Sequence, residues 1–394
     1  MLDSGNKSKL NKGMLFALVV ATIIGIAVRI CMFDFETSDY KIFLVQWMNS
    51  LAEAGGIKGI GLNLGDYTCP YIYILTIITL LPVNRLYAIK VVSCVFDFAL
   101  AFLGYRIIDT MTGDKRKSVF AYIAVFLCPT VIVNSALWAQ CDSIFTAFIF
   151  ASLLYILKDK PVKSCIFYGI AFALKLQSIF FAPIFICLWL KKRVKIKHLL
   201  CVPAVYVAFC IPAIAMGRDV FSTFAVYLHQ GAKYPQLSLN AASLLGFTQD
   251  IGFDYSNIVL LLTIGLAGAF VLLLIVDILR EKNEITNIRW LDLACLFIIA
   301  IPFLLPKMHE RYFYIADAMT IVYAFIHRKR WFVPILTVFG SFYTYLRFLY
   351  SDIFGKIPLF IASLAMGAAA VLIFVYYYRD YIKQQRIKSV MMRF

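Results

Sequence analysis

Four short segments carry the residue types that do chemistry, and each adjoins an apolar stretch. They are DFETSDY at 34–40, ALWAQCDS at 136–143, ALKLQS at 173–178 and LPKMHERYF at 305–313. A charged side chain at membrane depth costs several kcal/mol, so it is seldom present without a task. Carboxylates, a lysine, a histidine and arginines near one membrane face indicate chemistry at a bilayer surface: proton transfer from a hydroxyl beside a bound anion.

The first segment supplies two candidate bases, Asp39 and, close by, Asp34. Asp39 begins an amphipathic stretch whose apolar residues recur at helical spacing (Phe43, Trp47, Leu51). An Asp at the start of a helix is often only a cap. The alternative is a general base that accepts a hydroxyl proton. Both interpretations of Asp39 stay open on the sequence alone.

Three further groups of polar residues are candidates for binding a substrate, and each also has a purely structural interpretation. Asp66 and Tyr67 follow Gly65 in a predicted bend, so Asp66 is a turn residue or a group that binds hydroxyls. A second group contains Trp138, Gln140 and Asp142. It is interpreted either as an interfacial Trp with a capping Asp or as a Trp platform with polar groups for a saccharide. Lys175 and Gln177 interrupt 27 otherwise apolar residues, and Lys175 either snorkels to the interface or binds a phosphate.

The bulk composition places the chain in a membrane. Its 394 residues are 62% hydrophobic and 15% charged, with a mean hydropathy of +0.83. A soluble protein would carry roughly 25% charged residues. The net charge of +16 comes mainly from Lys and Arg in alternate loops, which is typical of cytoplasmic loops. No basic domain exists to bind nucleic acid, so the sequence excludes that partner.

The hydropathy pattern predicts an all-α polytopic membrane protein with a bundle of about twelve transmembrane helices. The predicted spans are 14–33, 86–108, 118–134, 143–157, 164–175, 177–190, 199–216, 258–279, 291–305, 312–327, 331–348 and 357–378. Residues 71–82 are too short to cross and are predicted to lie at the outer interface. Residues 164–190 lie between two basic loops, which predicts a short hairpin with Lys175 at its outer apex.

Twelve spans put both termini in the cytoplasm and the candidate residues on the outer face. We expect one integral membrane domain, residues 1–394, with long outer loops at 34–85 and 217–257. Neither loop is large enough to form a nucleotide-sugar-binding domain, and no glycine-rich phosphate loop occurs. A substrate is therefore expected to be carried by a lipid or to arrive from the outer side.

Cations in outer loops oppose the topological preference, and this favours a function for them. His309, Glu310 and Arg311 follow Lys307 between two apolar spans, and Arg347 lies among tyrosines. Arg311 or His309 is suited to holding a phosphate, and Glu310 to orienting one of them. Asp97 and Asp317, inside predicted spans, are each expected to pair with a cation or polar group.

The sequence requires no cofactor. It contains no HExxH, no GxSxG and no cluster with metal-ligand spacing. The acidic first loop leaves room for Mg²⁺ or Mn²⁺, but nothing demands a metal.

Taken in order, these motifs resemble the GT-C glycosyltransferases, in particular bacterial membrane proteins related to the second mannosyltransferase of GPI-anchor assembly. The pieces that carry the resemblance are SDY at 38–40, GDYTCPYIYIL at 65–75, ALWAQCDS at 136–143, ALKLQSIFFAPIF at 173–185 and LPKMHERYF at 305–313. KLQSIFFAPIF and MHER are also similar to stretches of the enzymes that use dolichyl-phosphate-glucose. The likeness covers most of the chain and is weakest over 217–300.

The resemblance implies an enzyme in a bacterial plasma membrane that takes one hexose, mannose or glucose, from a polyprenyl phosphate on the outer side. Asp39 matches the presumed base of such enzymes, although Ser38 stands where the family commonly has Gly. The acceptor is a saccharide, a lipid or a protein. Two alternatives remain: a transporter or flippase of lipid-linked saccharides, and a polysaccharide polymerase or ligase. A transporter should show inverted repeats and charges near the midplane.

Overall fold

The computed structural model describes residues 11–230, 236–249 and 257–391. Parts of the predicted outer loop 217–257 and the ends of the chain lie outside these residues. The described chain is almost entirely helical, which confirms the predicted all-α polytopic class. It forms two compact units, divided between Gln236 and Leu237.

The first unit contains twelve of the described α-helices. They are α1 (Lys12–Ile30), α2 (Val45–Glu53), α3 (Cys69–Leu80), α4 (Arg85–Thr112), α5 (Lys115–Phe126), α6 (Pro129–Ile132), α7 (Asp142–Leu157), α8 (Pro161–Leu174), α9 (Pro183–Leu190), α10 (Ile196–Leu199), α11 (Cys201–Ala215) and α12 (Val220–Gln230). The unit also contains two π-helical segments. Tyr40–Leu44 directly follows Asp39, and Val133–Leu137 directly precedes Trp138.

Helix α7 forms the core of the first unit. It is apolar on all sides and nearly every residue is buried, because α4 and α8 pack against it. A helix that is apolar all round is stable only in such surroundings or in lipid. Asp142, the first residue of α7, therefore lies at the end of a tightly packed helix.

The predicted hairpin over 164–190 is present. Helix α8 ends at Leu174, Lys175 is extended, and a 3₁₀ segment at Leu176–Phe181 leads into α9. The chain returns to its starting end, since the Arg193 guanidinium donates to the Asp159 carboxylate and to the Ile156 carbonyl. Lys175 therefore lies at the break in the hairpin, at the end opposite the two basic loops.

A buried ion pair joins α1 to α4 inside the first unit. Arg29 Nε lies 2.9 Å from Asp97 Oδ2, and Ser135 Oγ donates to the same oxygen at 2.5 Å. Charges removed from water need such partners. The expectation that Asp97 pairs inside the bundle is confirmed.

The second unit is built around α14. Its described elements are β1 (Ser238–Leu239), α13 (Asn257–Arg280), α14 (Asn287–Leu304), β2 (Met308–His309), α15 (Tyr314–Ile326), α16 (Phe332–Leu349), α17 (Ser351–Phe354) and α18 (Phe360–Met391). Helix α14 is buried along most of its length and packs on α15 and α18. Asp317 accepts a hydrogen bond from Ser341 Oγ at 2.9 Å, which is the polar partner expected for it.

Each of the twelve predicted spans coincides with helix in the structure. Seven helices of the described chain are long and apolar enough to cross a membrane, or eight if α5 and the segment 129–137, bent by 49°, count as one. The other four, α7, α8, the segment 176–190 and α15, are shorter and largely buried. Helix α3, which was expected not to span, is also short.

Candidate functional site

The Asp39 side chain is not the cap of the helix that it begins. Thr37 takes that place, because its Oγ1 accepts a hydrogen bond from the Tyr40 N–H at 3.3 Å. Asp39 makes no side-chain capping bond. The capping interpretation of Asp39 is therefore wrong.

Two N–H donors orient the Asp39 carboxylate. Trp138 Nε1 donates to Asp39 Oδ2 at 3.0 Å, and Gln140 Nε2 donates to the same oxygen at 3.1 Å. Asp39 is half-buried, and Trp138 is completely buried. The two segments that the sequence singled out separately thus meet at one carboxylate, which is held in a fixed orientation.

The loop from Val133 to Cys141 is shaped by an unusual backbone. It begins with the π-helical segment Val133–Leu137, in which the Trp138 N–H reaches back to the Val133 carbonyl at 2.9 Å. Ala139 then adopts a left-handed conformation, with φ of 61°. A left-handed residue other than Gly costs of order 1–3 kcal/mol and is concentrated at functional sites, as are π turns. Here the strain turns Trp138 and Gln140 toward Asp39.

Asp142 and Lys175 form an ion pair at the same end of the first unit. Lys175 Nζ donates to Asp142 Oδ1, and Asn134 Nδ2 donates to Asp142 Oδ2 at 2.7 Å. Asp142 is the first residue of α7, where the positive end of the helix dipole favours a carboxylate. Lys175 is 8% exposed, so it does not snorkel to an interface. The snorkelling interpretation of Lys175 is wrong.

Tyr67 lies beside this ion pair, and Asp66 lies in the turn before it. Lys175 Nζ is 5.8 Å from the centroid of the Tyr67 ring, which packs edge-on against Trp47. Gly65 has φ of +56°, and a Cβ there would come within 2.2 Å of the Trp47 ring. The predicted bend is therefore present and needs Gly. Asp66 is a turn residue, and its carbonyl accepts a hydrogen bond from the Gln230 amide.

The two remaining candidates in the first unit have different surroundings. Asp34 is exposed, and its carboxylate accepts a hydrogen bond from the Tyr87 hydroxyl. Gln177 is 8% exposed, and its Oε1 has no hydrogen-bond partner within the described part of the chain. A buried amide oxygen without a donor costs free energy, so Gln177 is suited to accept a hydrogen bond from a ligand.

The second unit holds the late charged segment on a short parallel strand pair. Met308 and His309 pair with β1, and the Lys307 N–H donates to the Leu237 carbonyl at 2.7 Å. Lys307 itself is left-handed, with φ of 60°. This pairing fixes the backbone of the LPKMHERYF segment, which hydropathy alone presented as a plain loop.

The Glu310 carboxylate lies close to the side chains of both neighbours in the chain, His309 and Arg311. Arg311 Nε donates to Glu310 Oε1 at 3.1 Å, and His309 Nδ1 lies 3.9 Å from Glu310 Oε2. Glu310 is 3% exposed, and its carbonyl accepts a hydrogen bond from Thr344 Oγ1. Arg347, the other outer-loop cation that the sequence predicts, donates to the Ile357 carbonyl.

Sequence reasoning missed three residues that shape the site in the first unit. Thr37 caps the helix and also donates to the Trp138 carbonyl at 3.4 Å. Asn134 binds Asp142, and its own Oδ1 has no partner within the described residues. Lys90 donates to three carbonyls that precede Asp39. Asn134 and Lys90 are polar residues inside predicted spans, which is the signal that could have found them.

A metal centre is not evident in the part of the chain that the structure describes. Residues 11–230, 236–249 and 257–391 contain no group of three or more His, Cys, Asp and Glu side chains placed to hold an ion.

The comparison with known families decides the class of the protein. The family model of glycosyltransferase family 87 matches residues 67–306, which is more than half of the chain. The chain belongs to glycosyltransferase family 87. It is a membrane glycosyltransferase, as the resemblance to the GT-C enzymes implied. The match includes the Trp138–Asp142 segment and Lys175 of this glycosyltransferase, whereas Asp39 and the residues after Pro306 lie outside it. None of the curated proteins matches the sequence.

Proposed function

We propose that this glycosyltransferase moves a single hexose, mannose or glucose, from a polyprenyl phosphate to an acceptor hydroxyl on the extracytoplasmic side of the plasma membrane. The acceptor is a saccharide, a lipid or a protein. The observation that carries the proposal is the Asp39 carboxylate held by Trp138 Nε1 and Gln140 Nε2. A carboxylate fixed in this way has the geometry of a general base.

In the proposed reaction, Asp39 takes the proton of the acceptor hydroxyl while that oxygen attacks the anomeric carbon. The bond between the anomeric carbon and the phosphate oxygen breaks, and the lipid phosphate leaves. One displacement inverts the configuration of the sugar. Asp34 is the weaker candidate for the base, because it is exposed and bound to Tyr87 instead of the Trp138 loop.

Negative charge grows on the phosphate as it leaves, so fixed cations stabilise the transition state. Lys175 is the candidate in the first unit. Among the described residues, Asp142 is the one carboxylate that pairs with the Lys175 ammonium. Two of the three ammonium protons remain for a ligand. His309, Arg311 and Arg347 are the candidates in the second unit, where Glu310 fixes Arg311. Such cations would take the place of a metal.

Polar groups in the first unit are suited to bind sugar hydroxyls. Gln177 Oε1 and Asn134 Oδ1 are buried acceptors that lack a donor within the described chain. A sugar hydroxyl would supply that donor. Trp138 does not fit its predicted role as a stacking platform, because its ring is completely buried and its N–H is directed to Asp39. Tyr67, which is half-buried, offers an aromatic face instead.

The geometry of the hairpin supports the extracytoplasmic side. Lys175 lies at the end of the hairpin opposite the basic loops that contain Asp159 and Arg193. Basic loops stay in the cytoplasm, so Lys175 and its neighbours are expected on the other side, with both termini cytoplasmic.

The test uses the purified protein in vesicles, with labelled polyprenyl-phosphate mannose or glucose offered with a short saccharide, a glycolipid or a peptide. Transfer from one of the two donors, with an inverted anomeric centre by NMR, is the expected result. Transfer from a nucleotide sugar or a lipid diphosphate, but from neither lipid monophosphate, would overturn the donor assignment. A product of retained configuration would overturn the single displacement.

A further inference from the structure

Helices α3 and α11 of the first unit are joined at a point where each helix carries a buried cysteine. The Tyr73 hydroxyl donates to the Phe209 carbonyl at 2.6 Å and accepts from the Ala213 N–H at 3.0 Å. Cys69 lies one turn before Tyr73 on α3, and Cys210 lies between the two residues that Tyr73 binds on α11. Both cysteines belong to one buried cluster, in which Cys69 is 1% exposed and Cys210 is 2% exposed.

A buried arginine lies against this pair. Arg218 is 3% exposed; its Nη1 lies 3.8 Å from Cys69 Sγ, and its Nη2 donates to Asn63 Oδ1 at 2.9 Å. Within the described residues its Nε has no hydrogen-bond partner, and none of their carboxylates forms an ion pair with it. Removing a guanidinium from water without a counter-charge is costly. An anion is therefore expected beside Arg218.

The Cys69 sulfur is the group that can supply this anion. Hydrogen bonding by Cys210 lowers the pKa of the Cys69 thiol; burial opposes this, and the positive charge of Arg218 adds to it. Cys69 is also the first residue of α3, where free backbone N–H groups favour a thiolate. The Thr68 side chain does not cap that helix and donates to the Ala173 carbonyl instead. The other titratable groups that face the sulfur, Tyr73 and Tyr206, are neutral phenols.

We propose that Cys69 and Cys210 form a peroxide-sensitive dithiol, in which Cys69 is the reactive thiolate and Arg218 its counter-ion. The thiolate attacks one oxygen of a hydroperoxide and the O–O bond breaks. Cys69 becomes a sulfenic acid, while the other oxygen leaves as hydroxide or an alkoxide and takes a proton from water. Cys210 Sγ then attacks Cys69 Sγ, its proton joins the departing hydroxyl as water, and the disulfide forms. Two thiols are oxidised and one peroxide is reduced.

The disulfide would change the first unit in two ways. It ties the N-terminus of α3, three residues after the Asp66 turn, covalently to α11. It also removes the anion beside Arg218, which leaves that guanidinium for a phosphate or for water. The site is 1% exposed at Cys69, so a small neutral peroxide is the oxidant that fits, whereas a bulky disulfide such as oxidised glutathione does not.

The test treats the full-length protein in vesicles with hydrogen peroxide or with oxidised glutathione. Free thiols are then blocked, disulfides are reduced and labelled, and all ten cysteines are compared by mass spectrometry. Peroxide is expected to label Cys69 and Cys210 together before the buried Cys94 and Cys165, and glutathione is expected to leave them unlabelled. Oxidation of Cys69 no faster than that of Cys94 would overturn the proposal.

Two variants separate the roles of the three residues. Cys210→Ser removes the resolving thiol with little change of shape, so a sulfenic acid at Cys69 should accumulate and react with dimedone. Arg218→Met should slow the oxidation about tenfold, since each unit of rise in the pKa lowers the thiolate fraction by that factor. The matched control is Cys165→Ser on α8, which should oxidise like the unaltered protein. Absence of a dimedone adduct in a folded Cys210→Ser protein would contradict the assignment of Cys69.

Discussion

Lys175, at the break of the hairpin, forms a buried ion pair with Asp142, the first residue of α7. The pair attaches the loop between α8 and α9 to the most buried helix of the first unit. It is flanked by aromatic rings, with Lys175 Nζ 5.6 Å from the Phe145 centroid and 5.8 Å from that of Tyr67. The position of the proposed phosphate-binding cation therefore depends on a carboxylate 33 residues earlier in the chain.

Lys175→Met should destabilise the protein by about 3–5 kcal/mol, because it leaves the Asp142 carboxylate buried without its counter-ion. Thermal unfolding in detergent measures the loss. The double variant Lys175→Met with Asp142→Leu should recover part of it, since both charges are then removed. Single and double variants as stable as the unaltered protein would show that the pair is not buried in solution. At a temperature where Lys175→Met is folded, donor binding should also weaken.

Asp39→Asn should lower the transfer rate by roughly 10²–10⁴, the contribution typical of a positioned base. The amide keeps the size of the side chain, so donor binding and thermal unfolding should change little. The matched control is Asp34→Asn, in the same loop, which should retain most of the activity. If Asp34→Asn abolishes transfer and Asp39→Asn does not, the base is Asp34.

Trp138→Phe should reduce the rate about tenfold or more while leaving most of the packing intact, because it removes one of the two N–H donors that orient the Asp39 carboxylate. The rate constant should fall with little change in the affinity for the donor. Trp189→Phe is the control, since Trp189 lies on α9 and is 44% exposed. An unchanged rate in Trp138→Phe would mean that Gln140 alone suffices to orient the carboxylate.

Lys90→Met should both destabilise the protein and lower its rate. Lys90 Nζ donates to the carbonyls of Met32, Phe33 and Phe35, at 2.9, 2.9 and 2.7 Å. These carbonyls precede Asp39 in the same loop, and hydrogen bonds to a charged group contribute about 1.5–3 kcal/mol each.

The rate of Lys90→Met should fall more than its donor binding, which a purely structural role would not produce. Lys41→Met is the control, because the Lys41 ion pair with Glu36 is exposed and such pairs contribute about 0–1 kcal/mol. Full activity in a folded Lys90→Met protein would exclude a role in positioning Asp39.

The positions of the helices were predictable because hydropathy depends on local composition. The predicted spans coincide with helices, and the hairpin followed from two basic loops that must share a side. The existence of a partner for Asp97 was also predictable, since a carboxylate in an apolar span needs one. The identity of that partner, Arg29, depends on which faces of α1 and α4 meet, and composition does not encode this.

The geometry of the site was less accessible. Trp138 lies 99 residues after Asp39, and no local pattern indicates that the two side chains form a hydrogen bond. Lys175 stands out in the sequence as a charge between apolar segments, but its internal partner could not be predicted without the packing of α7 against α8. Thr37 competes with Asp39 for the same capping position, and sequence alone does not decide between two residues that are both good caps.

The π-helical segments Tyr40–Leu44 and Val133–Leu137 have a consequence for how this site tolerates change. Each contains one residue more than an ordinary turn would need. A further residue inserted into either segment would meet a turn that already holds its additional residue, and it would rotate the chain on one side by about 100° around the helix axis. Asp39 and Trp138 would then point in different directions although both are still encoded. Insertions within these ten positions should therefore be tolerated far less well than substitutions there.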